Sequence, residues 1–284
     1  MQINFTKMHG LGNDFVVIDA INQSISLTPE QIRSIADRHF GVGCDQLLLV
    51  EKSPLASADF KYRIFNADGS EVEQCGNGAR CFARFVQDEK LTQKTSIPVI
   101  TATGLITLHT TENGLVTVDM GVPKFNAEAI PLDYQDERAV ITQGRAILYP
   151  LKLDDEIVPL SVVSMGNPHA IIIVDSITDA PVEKLGTKIQ QSAYFPQSVN
   201  VGFMQIIDAE HIALRVYERG VGETMACGTG ACAAVVAGRL QGLLEETVDV
   251  NLPGGNLSIS WADEQNPVMM TGPATTVFKG TISL

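Results

Sequence analysis

The stretch Ala231-Cys232-Ala233-Ala234-Val235-Val236-Ala237 is apolar on every face for two helical turns. A helix of that kind must be buried on all sides, and this one is too short to cross a bilayer. Short runs rich in Val, Ile, Leu and Phe dominate the rest of the chain, so the natural burial place is the inside of a curled sheet. Strands are predicted over residues 14–20, 46–51, 60–66, 97–101, 105–111 and 115–120, and then over 158–164, 170–174, 199–207 and 212–217. Thr28 reads as an N-cap, with Pro29 at the first helical position and Gln31 three residues after the cap, so a helix is expected over 28–38. A second surface helix is expected over 181–191. A third begins after Cys75, through Gly76-Asn77-Gly78-Ala79-Arg80, and the apolar one begins after Cys227.

The two halves repeat one another. Cys75 and Cys227 stand 152 positions apart, and at that offset Gly76 meets Gly228, Gly78 meets Gly230, Ala79 meets Ala231, Glu71 meets Glu223 and Asn66 meets Glu218. At an offset of 154, Gly12-Asn13 meets Gly166-Asn167 and Gln46 meets Asn200. An ordered set at nearly constant offset indicates duplication, with a period far too long for a solenoid. Two pseudo-symmetric domains follow, residues 1–125 and 126–272, joined near a polar stretch around Pro123, with the last strand, 273–284, returning to the first domain.

Each Cys-Gly-x-Gly opens a helix. The glycines let the backbone turn tightly and a ligand approach closely. The first N–H groups of a helix have no partner within it, and they attract an anion such as a carboxylate. The same field stabilises a thiolate, which predicts a lowered pKa for both cysteines. Two such sites facing one another would place a substrate carbon between two sulfurs. One thiolate would take the α-proton and the opposite thiol would return a proton to the other face. That carbon is weakly acidic, so donors must be aimed at the neighbouring carboxylate. The N–H groups of Gly76, Asn77, Gly228 and Thr229 suit that need.

These motifs resemble the diaminopimelate epimerase family. The resemblance rests on Met8-His9-Gly10-Leu11-Gly12-Asn13-Asp14-Phe15, on Asn66-Ala67-Asp68-Gly69-Ser70 leading to Cys75-Gly76-Asn77-Gly78-Ala79-Arg80-Cys81, on Met165-Gly166-Asn167-Pro168-His169, and on Glu218-Arg219-Gly220-Val221-Gly222-Glu223-Thr224 running into Ala226-Cys227-Gly228-Thr229-Gly230. It implies an α+β fold of two pseudo-symmetric domains, each a strand-built barrel around a central helix. It implies interconversion of LL- and meso-diaminopimelate, in lysine and peptidoglycan-precursor synthesis, with no PLP, no other cofactor and no metal. By the same resemblance Cys75 and Cys227 are the acid/base pair. Asn13, Gln46, Asn66, Asn167, Asn200, Glu218 and Arg219 would bind the substrate's polar ends, and His169 and Glu218 would tune the thiols. A homodimer is implied by analogy. Two positions depart from the family's pattern: Cys44 replaces a more usual apolar residue, and Phe278 stands where some relatives have tyrosine near a dimer contact.

Blander readings apply to many of these residues. Cys44, Cys81 and Cys232 read as small buried apolar side chains. Taken alone, His169 reads as a satisfied core histidine, Asn66 as a turn former and Glu218-Arg219 as a surface pair. A disulfide between Cys75 and Cys227 is expected as oxidative damage and not as architecture. Competing functions are a proline-racemase-like enzyme, which also uses paired cysteines, a phenazine-biosynthesis-like isomerase, which lacks them, a Cys–His thiol hydrolase and a non-catalytic binding module.

The bulk numbers narrow the field further. The net charge of -13 shows no basic surplus for nucleic acid. No run of about 18 apolar residues marks a membrane span, and the N-terminus lacks a signal-peptide pattern. Five cysteines without a C-x-x-C suit a reducing compartment. A cytoplasmic protein is expected.

Overall fold

The computed structural model describes all residues except 73, 74, 103, 126–128, 137 and 138. Four helices stand out among the described residues: α1 (Pro29–Ala36), α2 (Gly76–Asp88), α3 (Val182–Gln190) and α4 (Gly228–Leu240). Helix α4 is buried from Gly230 through Gly238, as its uniformly apolar faces require. Helix α1 carries the expected capping box, with the Thr28 hydroxyl accepting from Gln31 N and the Gln31 side chain accepting from Thr28 N. It stops at Ala36, short of the expected 38, because Asp37 turns to extended backbone and its side chain caps the N–H groups of His39 and Phe40.

The chain divides into two compact units, residues 1–119 with 271–284, and residues 120–270. The first junction lies six residues before the expected 125. Met120 N already bonds to Val268 O, and Lys124 bridges to Ser164, so this stretch belongs to the second unit.

The first unit contains β1 (Gln2–Gly10), β2 (Asn13–Asp19), β3 (Gln46–Lys52), β4 (Phe60–Asn66), β5 (Glu71–Val72), β6 (Ser96–Thr101), β7 (Gly104–Thr110) and β8 (Val116–Asp119). The second contains β9 (Ile141–Gln143), β10 (Ala146–Leu153), β11 (Glu156–Ser164), β12 (Pro168–Ile173), β13 (Asn200–Ile206), β14 (His211–Glu218), β15 (Gly222–Thr224), β16 (Thr247–Leu252) and β17 (Gly255–Ser260). Strand β18 (Met269–Gly272) spans the second junction, and β19 (Thr275–Ser283) pairs antiparallel with β1 in the first unit.

The pairings repeat along with the sequence. In the first unit β1–β2 is antiparallel, β2–β3 parallel, β3–β4 antiparallel, β4–β6 parallel and β6–β7 antiparallel. In the second, β11–β12, β12–β13, β13–β14, β14–β16 and β16–β17 follow the same series of senses. The register repeats too: Phe15 faces Gln46 as His169 faces Asn200, and Ile64 faces Val72 as Val216 faces Thr224. Both parallel crossovers from the second strand to the third carry a helix, α1 in one unit and α3 in the other. In the first unit, α2 packs on β1, β2, β3, β7, β8 and β19, so the sheet wraps round it. In the second, α4 packs on β11, β12, β13, β14 and β17. Each unit is therefore strands curled about one central helix.

Strand β1 escaped sequence patterning because its alternation is broken by buried polar residues. Thr6 and Lys7 are both buried. Lys7 is tolerated there because its ammonium bonds to Asp14 Oδ2 at 2.6 Å and to Gly43 O. Strand β10 was hidden by Pro150, which sits opposite Pro159 of β11. Two prolines facing one another remove ladder donors from both strands at one point and leave the rest of the pair intact.

Candidate active site

The two cysteines occupy the same structural position in the two units. Cys75 is the N-cap of α2, with φ −140° and ψ 119°, and Cys227 is the N-cap of α4, with φ −94° and ψ 103°. Each carbonyl accepts the first helical bond, from Ala79 N at 2.8 Å and from Ala231 N at 3.0 Å. All five cysteines carry thiols. Cys44, Cys81 and Cys232 are buried, and burial, as the largest cause, pushes the Cys44 thiol up to about 11 and that of Cys81 higher still, against the opposing charges of Lys7 and Arg80.

The glycines after each cysteine serve close packing rather than unusual backbone. Gly76, Gly78, Gly228 and Gly230 lie in the first helical turn and none has positive φ. A Cβ on Gly78 would lie 2.6 Å from the Tyr62 hydroxyl, and one on Gly230 would lie 3.1 Å from Cys227 Sγ and 3.0 Å from Val216 Cγ2. The tight turn expected of this motif sits elsewhere, at Gly12 (φ 92°) and Gly166 (φ 91°), each just ahead of its asparagine. Gly78→Ala is expected to destabilise the protein by about 1–3 kcal/mol through overpacking against Tyr62, which is fully buried. Thermal melts of the variant should show a loss of several degrees.

In the first unit Asn13, Cys75 and Asn77 come together, and Gln46 pairs with Asn66. Asn13 Oδ1 accepts from Asn77 Nδ2 at 3.2 Å and from Cys75 Sγ at 3.7 Å. Gln46 and Asn66 face each other across β3 and β4, with Gln46 Nε2 donating to Asn66 Oδ1 at 3.0 Å. Asn66 N also donates to Ser70 O, a backbone bond that closes the turn after β4.

In the second unit Asn167, His169, Asn200, Glu218, Cys227 and Thr229 come together. Asn167 Nδ2 donates to Thr229 Oγ1 at 3.3 Å, and Thr229 Oγ1 lies 3.6 Å from Cys227 Sγ. Asn200 is buried, donating to Pro168 O and accepting from Arg219 N, both at 2.9 Å. That amide ties the start of β12 to the Glu218-Arg219 turn. Arg219 itself is exposed and bonds to Gln197 O.

One expectation about protonation is overturned. Cys227 does not have a lowered pKa. Burial pushes its thiol well above the usual range, and the neighbouring Glu218 carboxylate raises it further. The Thr229 hydroxyl and the Gly230 N–H at the helix start oppose these effects without overcoming them. A helix N-terminus is a modest field, and here desolvation is larger. Glu218 is also the acceptor of a short bond from Thr224 Oγ1, so its carboxylate is fixed beside the thiol. His169 is fully buried, and burial, aided by the charge of Arg219, lowers its pKa to about 3. It is a neutral imidazole at any physiological pH. Its Nε2 lies 3.1 Å from Asn167 Oδ1, and its buried Nδ1 has no hydrogen-bond partner among the described residues. With Nε2 protonated it donates to Asn167, and hydrogen bonds through Asn167 and Thr229 link it to Cys227.

Four groups on the elements that lead into or follow the cysteines went unread in the sequence. Arg80 is fully buried in α2, donating to Asn77 Oδ1 at 2.9 Å and to Pro273 O at 3.1 Å. Tyr62 Oη lies 3.5 Å from Cys75 O. Arg63 grips Glu71 with two bonds of 2.7 Å, and Arg215 grips Glu223 with bonds of 2.6 and 2.8 Å. These last two pairs brace the β4–β5 and β14–β15 hairpins that lead into the cysteines. Both stand at the repeat offset of 152, and the repeat was the signal that could have found them.

Solved structures share this fold. A phenazine biosynthesis protein of the PhzF family from Bacillus anthracis superposes with a TM-score of 0.71 at 17% identity, covering all of both chains. A hydroxyproline epimerase from Agrobacterium vitis gives 0.67 at 14% identity, covering all of this chain and 93% of that one. The chain thus shares its fold with a PhzF-family protein and a hydroxyproline epimerase. Sequence narrows it further. The diaminopimelate epimerase profile matches residues 5–126 and 161–277. Diaminopimelate epimerases from Nitrosomonas europaea and Thioalkalivibrio sulfidiphilus are 61% and 60% identical, each over the whole of both chains. The chain belongs to the diaminopimelate epimerase family and is an isomerase.

Proposed function

We propose that the protein interconverts LL- and meso-2,6-diaminopimelate by proton transfer between two thiols, without a cofactor. The observation that carries this reading is the equivalence of Cys75 and Cys227. Each caps the central helix of its unit, at the same register, in a chain of this family. Epimerisation requires a base on one face of a carbon and an acid on the other, and the duplication supplies one thiol for each role. In the forward direction one sulfur takes the α-proton while the other returns a proton, and the roles exchange in reverse. Cys227, kept protonated by burial and by Glu218, suits the donor role at rest.

The α-carbanion needs stabilisation at the adjacent carboxylate. The first-turn N–H groups at Gly76, Asn77, Gly228 and Thr229 lie where a carboxylate at each helix start would meet them. Single donors of this kind contribute about 3–4 kcal/mol in a dry site. Asn13, Gln46, Asn66, Asn167, Glu218 and Arg219 would hold the substrate's remaining amino and carboxylate groups, with Asn200 fixing the turn that presents Glu218 and Arg219. His169 would tune Cys227 at one remove, by orienting Asn167.

The same reading places the activity in lysine and peptidoglycan-precursor synthesis in the cytoplasm. Among the described residues no helix is long and apolar enough to cross a membrane. A homodimer fits Val277 and Phe278, which lie exposed on β19. Light scattering would read the mass directly, and a monomer would end that part of the proposal.

A substrate panel tests the function. The purified, reduced protein should epimerise LL-diaminopimelate with neither PLP nor metal added, and leave proline and hydroxyproline untouched. Turnover of the cyclic imino acids in place of diaminopimelate would move the chain's activity to the proline-racemase type.

A further inference from the structure

We propose that Asp45 is a positioning residue that fixes the side-chain amide of Asn13, so that its oxygen and not its nitrogen faces Cys75. The proposal rests on the reading of Cys75 as a proton-transfer thiol. Asn13 Nδ2 donates to Asp45 Oδ2 at 2.9 Å, and a carboxylate can only accept. That bond turns Oδ1 the other way, onto Cys75 Sγ and Asn77 Nδ2. Asn77 cannot present its own oxygen in exchange, because Arg80 Nη2 holds that oxygen at 2.9 Å. The Asn13 amide is therefore gripped from both ends.

Asp45 is itself immobilised. Arg38 Nη2 donates to Asp45 Oδ1 at 2.7 Å, Asp14 N donates to Asp45 Oδ2 at 3.1 Å, and Asp45 N returns a bond to Asp14 Oδ1 at 2.9 Å. Asp14 is in turn held by Arg38 and by the buried Lys7. Burial would raise the Asp14 carboxyl, but its bonds from Arg38 and Lys7 hold it well below the usual carboxylate range. This network belongs to the first unit alone. At the repeat offset the counterpart of Asp45 is Val199. There the matching amide, Asn167, is held in the opposite sense, with its oxygen on His169 Nε2 and its nitrogen on Thr229. Two equivalent amides thus face their cysteine loops with opposite polarity. An acceptor meets the Cys75 thiol, whereas a hydroxyl that can donate meets Cys227.

An acceptor facing Cys75 favours its protonated form, so freeing the amide should make this thiol more reactive. The test is the rate of iodoacetamide alkylation at pH 7, resolved by peptide mass spectrometry, on the full-length protein. It does not depend on which substrate is turned over. Asp45→Ala is expected to speed alkylation of Cys75 about fivefold, the scale of one hydrogen bond, and to leave Cys227 unchanged. Asp45→Asn, which keeps an acceptor oxygen, should stay within about twofold of the parent. In an Asn13→Ala background, Asp45→Ala should add nothing, because its effect passes through Asn13. Buried Cys44 is the internal control, since local loosening would speed its alkylation as well. An unchanged Cys75 rate, equal changes at Cys75 and Cys44, or a full effect without Asn13 would each overturn the proposal. Failure to epimerise diaminopimelate, with the alkylation pattern intact, would instead count against the functional reading.

Discussion

Cys227→Ala is expected to lower kcat/KM for epimerisation by about a thousandfold or more, and Cys75→Ala to do the same. General acid or base catalysis by one placed group contributes roughly 10²–10⁴-fold, and alanine removes the group placed to carry the proton. The fold should survive both changes. Cys75 is only partly buried, and at Cys227 the alteration removes a single sulfur from a buried site, a loss on the order of 1 kcal/mol. Cys81→Ala and Cys232→Ala are the controls: both lie in the helix cores and should alter stability alone. Equal losses from Cys75 and Cys227 also separate this chemistry from a Cys–His thiol hydrolase. Such an enzyme needs one nucleophile and would tolerate loss of the other cysteine. It would also need a histidine able to accept a proton near neutral pH, and His169 is held neutral down to about pH 3.

Stability is expected to fall steeply with acid because of that same histidine. The folded protein keeps His169 neutral to about pH 3, whereas the unfolded chain protonates it near 6.5. Below pH 6.5 the unfolded state therefore binds more protons than the native state, and each further pH unit removes about 1.4 kcal/mol until the folded pKa is reached. The stabilisation is fully present above 6.5 and lost on the way down. Carboxylates with depressed pKa values, Asp14 foremost, add their own losses only below their unfolded values, 3.8 for aspartates and 4.5 for glutamates such as Glu71. The range from 6.5 to 4.5 thus reports mainly on His169, and a fall of about 2–3 kcal/mol is expected across it. His211 opposes this weakly, since its pKa is raised by Asp208, but it is fully exposed. Urea unfolding at half-unit pH steps would measure the slope. His169→Gln keeps a donor for Asn167 Oδ1 without titrating, and it should flatten the curve over this range. An unchanged acid limb in that variant would place the effect on other groups.

Much of this molecule is written in local pattern. The seven apolar residues from Ala231 to Ala237 specify a buried helix whatever surrounds them, and the offset repeat specifies that the surroundings occur twice. The cysteines were visible because the repeat set them at two helix starts. What the sequence hid is what only tertiary contact decides. Lys7 looks like a surface residue until Asp14 and Gly43 are brought to it from elsewhere in the chain. Gly78 and Gly230 look like turn glycines, but they are small because β4 and β14 leave no room for a side chain. The thiol of Cys227 was expected to be acidic because a helix start is visible in sequence and desolvation is not. His169 is linked to the Cys227 thiol by hydrogen bonds through Asn167 and Thr229, a chain of side chains that no sequence pattern announces. The Arg63–Glu71 and Arg215–Glu223 pairs were within reach, since both glutamates had already been matched across the repeat.

The central claim is that one thiol removes the α-proton and a different one replaces it from solvent. Incubation of the reduced protein with LL-diaminopimelate in D₂O tests this most directly, with deuterium at the α-carbon and the meso isomer followed together. The account predicts that every meso molecule formed early carries solvent deuterium at the inverted carbon, while recovered LL substrate gains it far more slowly, because the thiol that takes the substrate proton is not the one that delivers deuterium. Inversion in which the original hydrogen is retained at that carbon would mean a single base serves both faces, and would contradict the account.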